Sequence, residues 1–335
     1  MDKDAPSTRW RETKTDDEDA RFERHAALLV GLQRESAPSS ALARALHAKA
    51  HVGVEASFVV LDDLPAHARH GLFATPGTYR AWVRWSNGAP RRQKDHVPDA
   101  RGIAIKVVGV AGRKLIPGLE DATTQDFLAI RTPALPFRDA DEFMTFVAAA
   151  RKPATMPLKL ALAHGPLRAL AIVRTLLRST RRRDTSLATV PFFSGAAIAC
   201  GPHAVRFAIV PVDPGPEPAV DGPLDGDHYT RDLLQRLRDG GLEYEMRLQF
   251  FRDEATTPIE DHTVEWRESD APFVPVARIS IPQQDPESEQ GKALSQRIEG
   301  FSFDPWHALV EHRPLGNVMR ARNKAYRAST QARGA

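Results

Sequence analysis

Arg44-Ala45-Leu46-His47-Ala48-Lys49-Ala50-His51-Val52-Gly53-Val54-Glu55-Ala56-Ser57-Phe58-Val59-Val60-Leu61 is the stretch whose reading decides the fold. From Val52 onward the residues alternate in polarity and are rich in valine, which predicts a strand rather than a helix. His47 stands at the mouth of that strand, where an imidazole can face a cavity. Strand-like runs recur at Tyr79 to Ser86, Gly102 to Val110 and Gln125 to Ile130, separated by turns bearing proline and glycine. A second group lies at Ala204 to Val210, Tyr244 to Phe251, Thr263 to Trp266 and Val276 to Ile281. Eight such segments fit a closed antiparallel β-barrel, which removes sheet edges and can carry a ligand site at its mouth. The helices then pack outside it, an α+β arrangement.

At the other end of the chain, Met319 to Arg333 carries Arg322, Tyr326 and Arg333 at i, i+4 and i+11. On a helix that spacing stacks the three side chains along one face. A guanidinium one turn before a tyrosine favours the ionised phenol, whose free pKa is about 10. Phenolate oxygen is a hard anionic ligand for ferric iron, and tyrosine is one of the recurring axial ligands of haem. The same pattern, taken alone, also fits a surface helix with ordinary basic residues.

Five blocks then occur in a telling order: Arg44-Ala45-Leu46-His47-Ala48-Lys49; Val83-Arg84-Trp85-Ser86; Asp99-Ala100-Arg101-Gly102-Ile103-Ala104-Ile105-Lys106; Arg131-Thr132-Pro133 leading to Arg138-Asp139; and Phe301-Ser302-Phe303-Asp304-Pro305 ahead of the Tyr326 segment. In them the chain resembles the catalase superfamily of haem proteins, in particular its short bacterial members that lack the large enzymes' C-terminal extension. The likeness extends in order over roughly residues 40 to 335. Glu265-Trp266 and Phe273 to Ser280 are similar to further family runs between the blocks.

The resemblance implies a catalase-type eight-stranded barrel holding haem b, and assigns roles residue by residue. His47 matches the distal histidine, an acid–base group, and Ser86 would bond the far nitrogen of its ring, fixing the tautomer. Tyr326 matches the iron ligand, flanked by Arg322 and Arg333. Arg84 would pair with a haem propionate, with Arg44 beside it in the haem-binding set. Phe143, five residues after Arg138, stands where a phenylalanine stacks over the haem. The run Asp99 to Lys106 is expected to be structural. The departures are Ala50, where the family run has glycine, and Arg131, where the family has its distal asparagine. Arg131 brings a cation with five donors. It would either assist O–O cleavage, suiting an organic reductant better than peroxide disproportionation, or swing away to a propionate and leave His47 alone. His51 is the rival for the distal role, disfavoured by strand alternation and by the Arg44 spacing.

Composition narrows the classes. The chain has 335 residues, 42% of them hydrophobic, enough for a substantial core. Its single cysteine, Cys200, excludes an intrachain disulfide and leaves no resolving partner for thiol peroxidase chemistry. Charge is nearly balanced, 46 basic against 43 acidic residues, so nucleic acid is not indicated, and the 12 histidines show no metal-binding spacing. No segment is long and apolar enough to span a bilayer. The charged N-terminus lacks the apolar core of a secretory signal, so a cytoplasmic location is expected.

Residues 1–25 are expected to form a flexible arm, and residues 26–335 a single haem-binding domain. An amphipathic helix is expected near Phe22 to Glu35, and a short one near Ala41 to His47. Met156 to Arg183 reads as a helical hairpin broken at Gly165-Pro166 with a solvated basic face; the rival is a basic amphipathic helix lying on a membrane. Membrane contact is therefore not expected. Pro211 to Asp227 and Pro282 to Gly291 read as loops. The functional expectation is a haem peroxidase or hydroperoxide-processing enzyme with weak catalase activity, using a peroxide or organic hydroperoxide and an unknown electron donor, and forming a homo-oligomer. The alternatives are a haem-binding protein without turnover and a fatty acid hydroperoxide isomerase like the coral allene oxide synthases. Those carry threonine before the distal histidine, where this chain has Leu46.

Overall fold

β1 (Lys49–Val60) pairs along its length with β2 (Gly77–Asn87), and the ladder continues through β3 (Arg101–Val108) to β4 (Thr124–Ile130). On its other side β1 pairs with β9 (Val274–Ile281), then β8 (Leu242–Phe250) and β7 (His203–Pro211). The two-residue strand β5 (Phe192–Phe193) closes the ring, with Phe193 opposite both Ile130 and Ala208. In this computed structural model, which describes residues 6–36, 44–181, 184–219, 222 and 224–333, the result is an eight-stranded antiparallel barrel with one extra strand, β6 (Ile198–Cys200), on β7.

Strand alternation decides what lies inside. Val52, Val54, Ala56 and Phe58 of β1 join Val83 and Trp85, Ile103 and Ile105, and Tyr244 and Met246 in one buried cluster. Phe127 lies parallel to Phe58, with ring centres 6.0 Å apart, and meets Phe207 edge-on at 5.5 Å. The interior is thus filled with side chains, and a ligand site must lie outside it or at a rim. Arg84, Ser86, Gly102 and Lys106 have the opposite parity and face outward beneath the helices.

Seven α-helices are present among the described residues: α1 (Glu18–Ser36), α2 (Ala140–Ala150), α3 (Met156–His164), α4 (Pro166–Arg181), α5 (His228–Asp239), α6 (Glu289–Gly300) and α7 (Asn317–Arg333). α2 begins with a reciprocal cap. The Asp139 carboxylate accepts from Glu142 N at 2.9 Å, and Glu142 Oε2 accepts from Arg138 N at 2.7 Å. α6 lies directly on β1, because at Gly53 a Cβ would stand 2.9 Å from Ile298. Ile298 is fully buried there with Trp82, Ala104 and Phe303, a burial that contributes about 1.5–3 kcal/mol. α7 packs on α1, where Arg320 is ion-paired with Glu18 at 2.6 Å, Glu12 at 2.8 Å and Glu260 at 3.0 Å.

Several sequence expectations need correction or closer description. Thr263 to Trp266 is not a strand. Thr263 N bonds the Asp261 side chain, Arg206 donates to Val264 O, and Gln249 donates to Trp266 O, so side chains satisfy this backbone instead of a ladder. β5 takes its place in the ring. Of the short helix expected near Ala41 to His47, residues 41–43 lie outside the described residues, and Arg44 to His47 is not helical. The loop expected through Gly291 ends earlier, with α6 capped by Ser288 Oγ accepting from Gly291 N. The first helix begins at Glu18. Residues 6–17, read as part of the arm, run extended along the body, with Trp10 Nε1 donating to Pro202 O and Thr13 N donating to Glu260.

Candidate active site

His47 sits just before β1 with φ +57°, the left-handed region that a histidine rarely occupies. Its neighbours over-determine that geometry. His47 N donates to Gly88 O at 2.9 Å, Arg84 donates to His47 O at 2.9 Å, and His47 Nδ1 is hydrogen-bonded to Ser86 Oγ at 3.0 Å. All three partners come from β2 or the residue after it. Across the ladder Ser86 faces Gly102, where a Cβ would stand 2.7 Å from His47 Cε1. The imidazole therefore lies over a strand position that must be glycine. Burial, reinforced by the positive charges of Arg84, Arg322 and Arg44, pushes the His47 pKa down to about 3, so the ring is neutral at ordinary pH.

Arg84 and Arg44 converge on one carboxylate. Arg84 Nε and Nη2 donate to Glu299 at 2.6 and 3.1 Å, and Arg44 Nε donates to the same group at 3.3 Å. Arg44 also donates to Glu299 O and Phe301 O at 2.7 and 2.6 Å, tying the Arg44 segment to the end of α6. Burial tends to raise the Glu299 pKa, but the charges and hydrogen bonds of Arg84 and Arg44 prevail and hold it below the usual carboxylate range. Glu299 was not legible as a site residue. Its only sequence signal is the i, i+4 pair Leu294 and Ile298 following Ser288, which marks a helix but not which residue at its end turns inward.

On α7, Arg322 Nη2 donates to Tyr326 Oη at 2.8 Å, and the guanidinium carbon lies 5.0 Å from the ring centre. The C-terminal helix and the mouth of β1 are tied to one segment: Arg44 donates to Phe301 O at 2.6 Å, and Ser302 Oγ lies 3.4 Å from Thr330 Oγ1 on α7. The turn at Phe303-Asp304-Pro305 joins them. Asp304 N donates to Asp126 Oδ2 at 2.9 Å, Trp306 Nε1 donates to Met319 O at 2.7 Å, and Asp126 is paired with Lys106 at 2.5 Å. Burial raises the Asp304 pKa to about 7, with the nearby Asp126 adding to the effect.

Other sequence-predicted residues stand apart from this group. Arg131 follows β4 and spends its guanidinium on Asp184, with Nε to Oδ2 at 2.9 Å and Nη2 to Oδ1 at 3.1 Å; it is not a free distal cation. Asp184, some fifty residues on and in no motif, carried no signal of that pairing. Phe143 meets Phe137 edge-on at 5.5 Å and belongs to the cluster beneath α3 and α4 that includes Leu160 and Ile172. His51 falls at a bulge between Ala50 and Val52, where Nε2 donates to Asn87 Oδ1 at 2.7 Å and Nδ1 pairs with Thr230 Oγ1 at 3.0 Å. Both its nitrogens are thus satisfied away from His47. The side chain of Arg333, the last residue of α7, lies outside what the structure describes.

No family model matches the chain. A catalase-related peroxidase from Mycolicibacterium paratuberculosis is 28% identical over 302 residues, covering 87% of this chain and 88% of that protein. Among solved structures, a fungal catalase superposes with a TM-score of 0.66 at 20% identity, over 91% of this chain and 62% of that one. A bacterial catalase gives 0.65 at 17% identity over 98% and 63%, and catalase A from Saccharomyces cerevisiae gives 0.66 at 17% identity over 98% and 67%. The chain thus spans about two thirds of the length of these catalases and shares their fold.

Proposed function

We propose that this chain, which shares the catalase fold, is a haem-dependent peroxidase in which His47 and Tyr326 stand on opposite sides of the cofactor. The donor set fits haem b. A phenol is already hydrogen-bonded to a fixed cation, and two guanidiniums already share one carboxylate, a pairing that a propionate can join or replace. From the resemblance, Tyr326 is assigned as the iron ligand, Arg84 as a propionate partner with Arg44 beside it, and Arg333 as the arginine that follows the ligand on its helix; Phe143, packed against Phe137 beneath α3 and α4, is left out of the haem contacts. When bound, haem supplies the redox chemistry of ferric iron.

The chain's own residues then manage protons and orientation. With Nδ1 engaged by Ser86, Nε2 of the neutral His47 is the nitrogen free to accept a proton from one peroxide oxygen and return it to the departing one. Arg322 offsets negative charge on the Tyr326 oxygen. Peroxidase turnover is favoured over peroxide disproportionation for two reasons. The relative's name, catalase-related peroxidase, points that way. The place of the family's distal asparagine is also filled by Arg131, whose guanidinium is committed to Asp184, so this position offers no amide to orient a second peroxide.

The observation that carries this reading is the geometry that holds both groups: His47 fixed by Ser86, Tyr326 bonded to Arg322, and the Phe301-Ser302 segment bonded both to Arg44 and to Thr330 of α7. A visible spectrum of protein expressed with adequate iron, followed by stopped-flow mixing with hydrogen peroxide and with an organic hydroperoxide, tests it. A haem spectrum, rapid reaction with peroxide and consumption of an organic reductant are expected. Sustained oxygen evolution would make it a catalase, haem without turnover a carrier, and a colourless protein would overturn the proposal.

A further inference from the structure

Outside the site, the feature that the fold leaves unexplained is the outer face of the α3–α4 hairpin. Leu158, Leu162, Leu167 and Leu170 are 62, 79, 83 and 65% exposed, while Leu160, Ala169 and Ile172 on the opposite face are buried against α2. The chain reverses at Gly165 (φ +83°), so Leu162 and Leu167 flank the tip, with Leu158 and Leu170 one turn behind. What sequence alone reads as a solvated basic face is, at its tip, a leucine surface.

Charge identifies its occupant. Between Glu142 and Asp184 the chain has nine basic residues and no acidic one. Arg168 and Arg151 are paired back to Glu142 and Glu35, but Lys159, Arg174 and Arg178 sit on the exposed side beside the leucines. An apolar tip backed by cations matches an anionic lipid surface, in which leucines enter the acyl boundary while lysine and arginine stay at the phosphates. A second copy fits poorly, since two-fold pairing of the same patch would set cation against cation.

We propose that the α3–α4 hairpin docks the protein on the surface of an anionic bilayer, lying in the interface without crossing it. Among the described residues no helix is long and apolar enough to cross a membrane. The inference stands independently of haem binding.

The test is co-sedimentation of the full-length protein with vesicles of phosphatidylglycerol and with vesicles of phosphatidylcholine. Binding to the first, weakened at high salt and absent or weak with the second, is expected. Leu162→Glu with Leu167→Glu should reduce binding at least about tenfold, and Arg174→Gln with Arg178→Gln should reduce it by roughly thirtyfold, about fivefold for each lipid-attracting charge lost. All four positions are exposed, so the circular dichroism spectrum should not change. Binding indifferent to both pairs of substitutions, or no binding to either vesicle, overturns the proposal. So does concentration-dependent self-association, abolished by the leucine substitutions, in a protein that ignores vesicles; that outcome would make the patch an interface between copies.

Discussion

Ser86 and Gly102 face each other across the β2–β3 ladder and fix His47 from two sides, one by a hydrogen bond to Nδ1 and the other by having no side chain beneath Cε1. Gly102→Ala would put a methyl 2.7 Å from that carbon, and the ring must move. A displacement near 1 Å costs on the order of a hundredfold in a positioned reaction. The peroxide rate constant should fall by about that factor while haem absorbance is retained. An unchanged rate would show that His47 is not the group that meets peroxide.

The two parts of the His47 arrangement separate by magnitude. His47→Ala removes the acid–base group and should slow reaction with peroxide by on the order of a hundredfold or more. Ser86→Ala removes only the orienting bond and should cost roughly tenfold. Stopped-flow measurements on the haem-loaded variants check both. Equal losses would mean that Ser86 does more than orient.

Tyr326 is the only oxygen ligand proposed for the iron. Tyr326→Phe should abolish tight haem retention through desalting, with loss of the charge-transfer absorption. An unaltered spectrum refutes the assignment.

Arg131→Ala breaks the bidentate pair with Asp184, in which both side chains are mostly shielded from solvent. Leaving that carboxylate without its partner should lower stability by about 1–3 kcal/mol, read by denaturant unfolding. The peroxide rate should stay near wild type. A tenfold slower reaction would restore Arg131 to the distal side.

Asp304 gives a pH signature. Its pKa in the folded state, about 7, lies above the unfolded value, so its contribution to stability is full at low pH and is lost as pH rises through about 7. Asp304→Asn cannot ionise. Its stability relative to wild type should grow by up to about 1.4 kcal/mol per pH unit between about pH 4 and pH 7, then level off. The buried histidines titrate in both proteins and cancel in the difference. A difference independent of pH would place Asp304 in a more polar setting than its burial indicates.

The sequence by itself determined most of the barrel and the order of its chemistry. Period-two alternation is local, so the strands at Val52, Tyr79, Gly102, Gln125, Ala204, Tyr244 and Val276 could be read directly. Spacing on one helix likewise placed Arg322 beside Tyr326. What only the tertiary structure decided are pairings between distant segments. The two residues of β5 are too short to show a period. Whether Arg131 points to a ligand or to Asp184, and which carboxylate gathers Arg44 and Arg84, depends on which surfaces meet when α6 closes on Gly53. The same holds for the leucines of the α3–α4 hairpin: amphipathic spacing tells that a helix has two faces, and only packing against α2 decides which of them is left in the open.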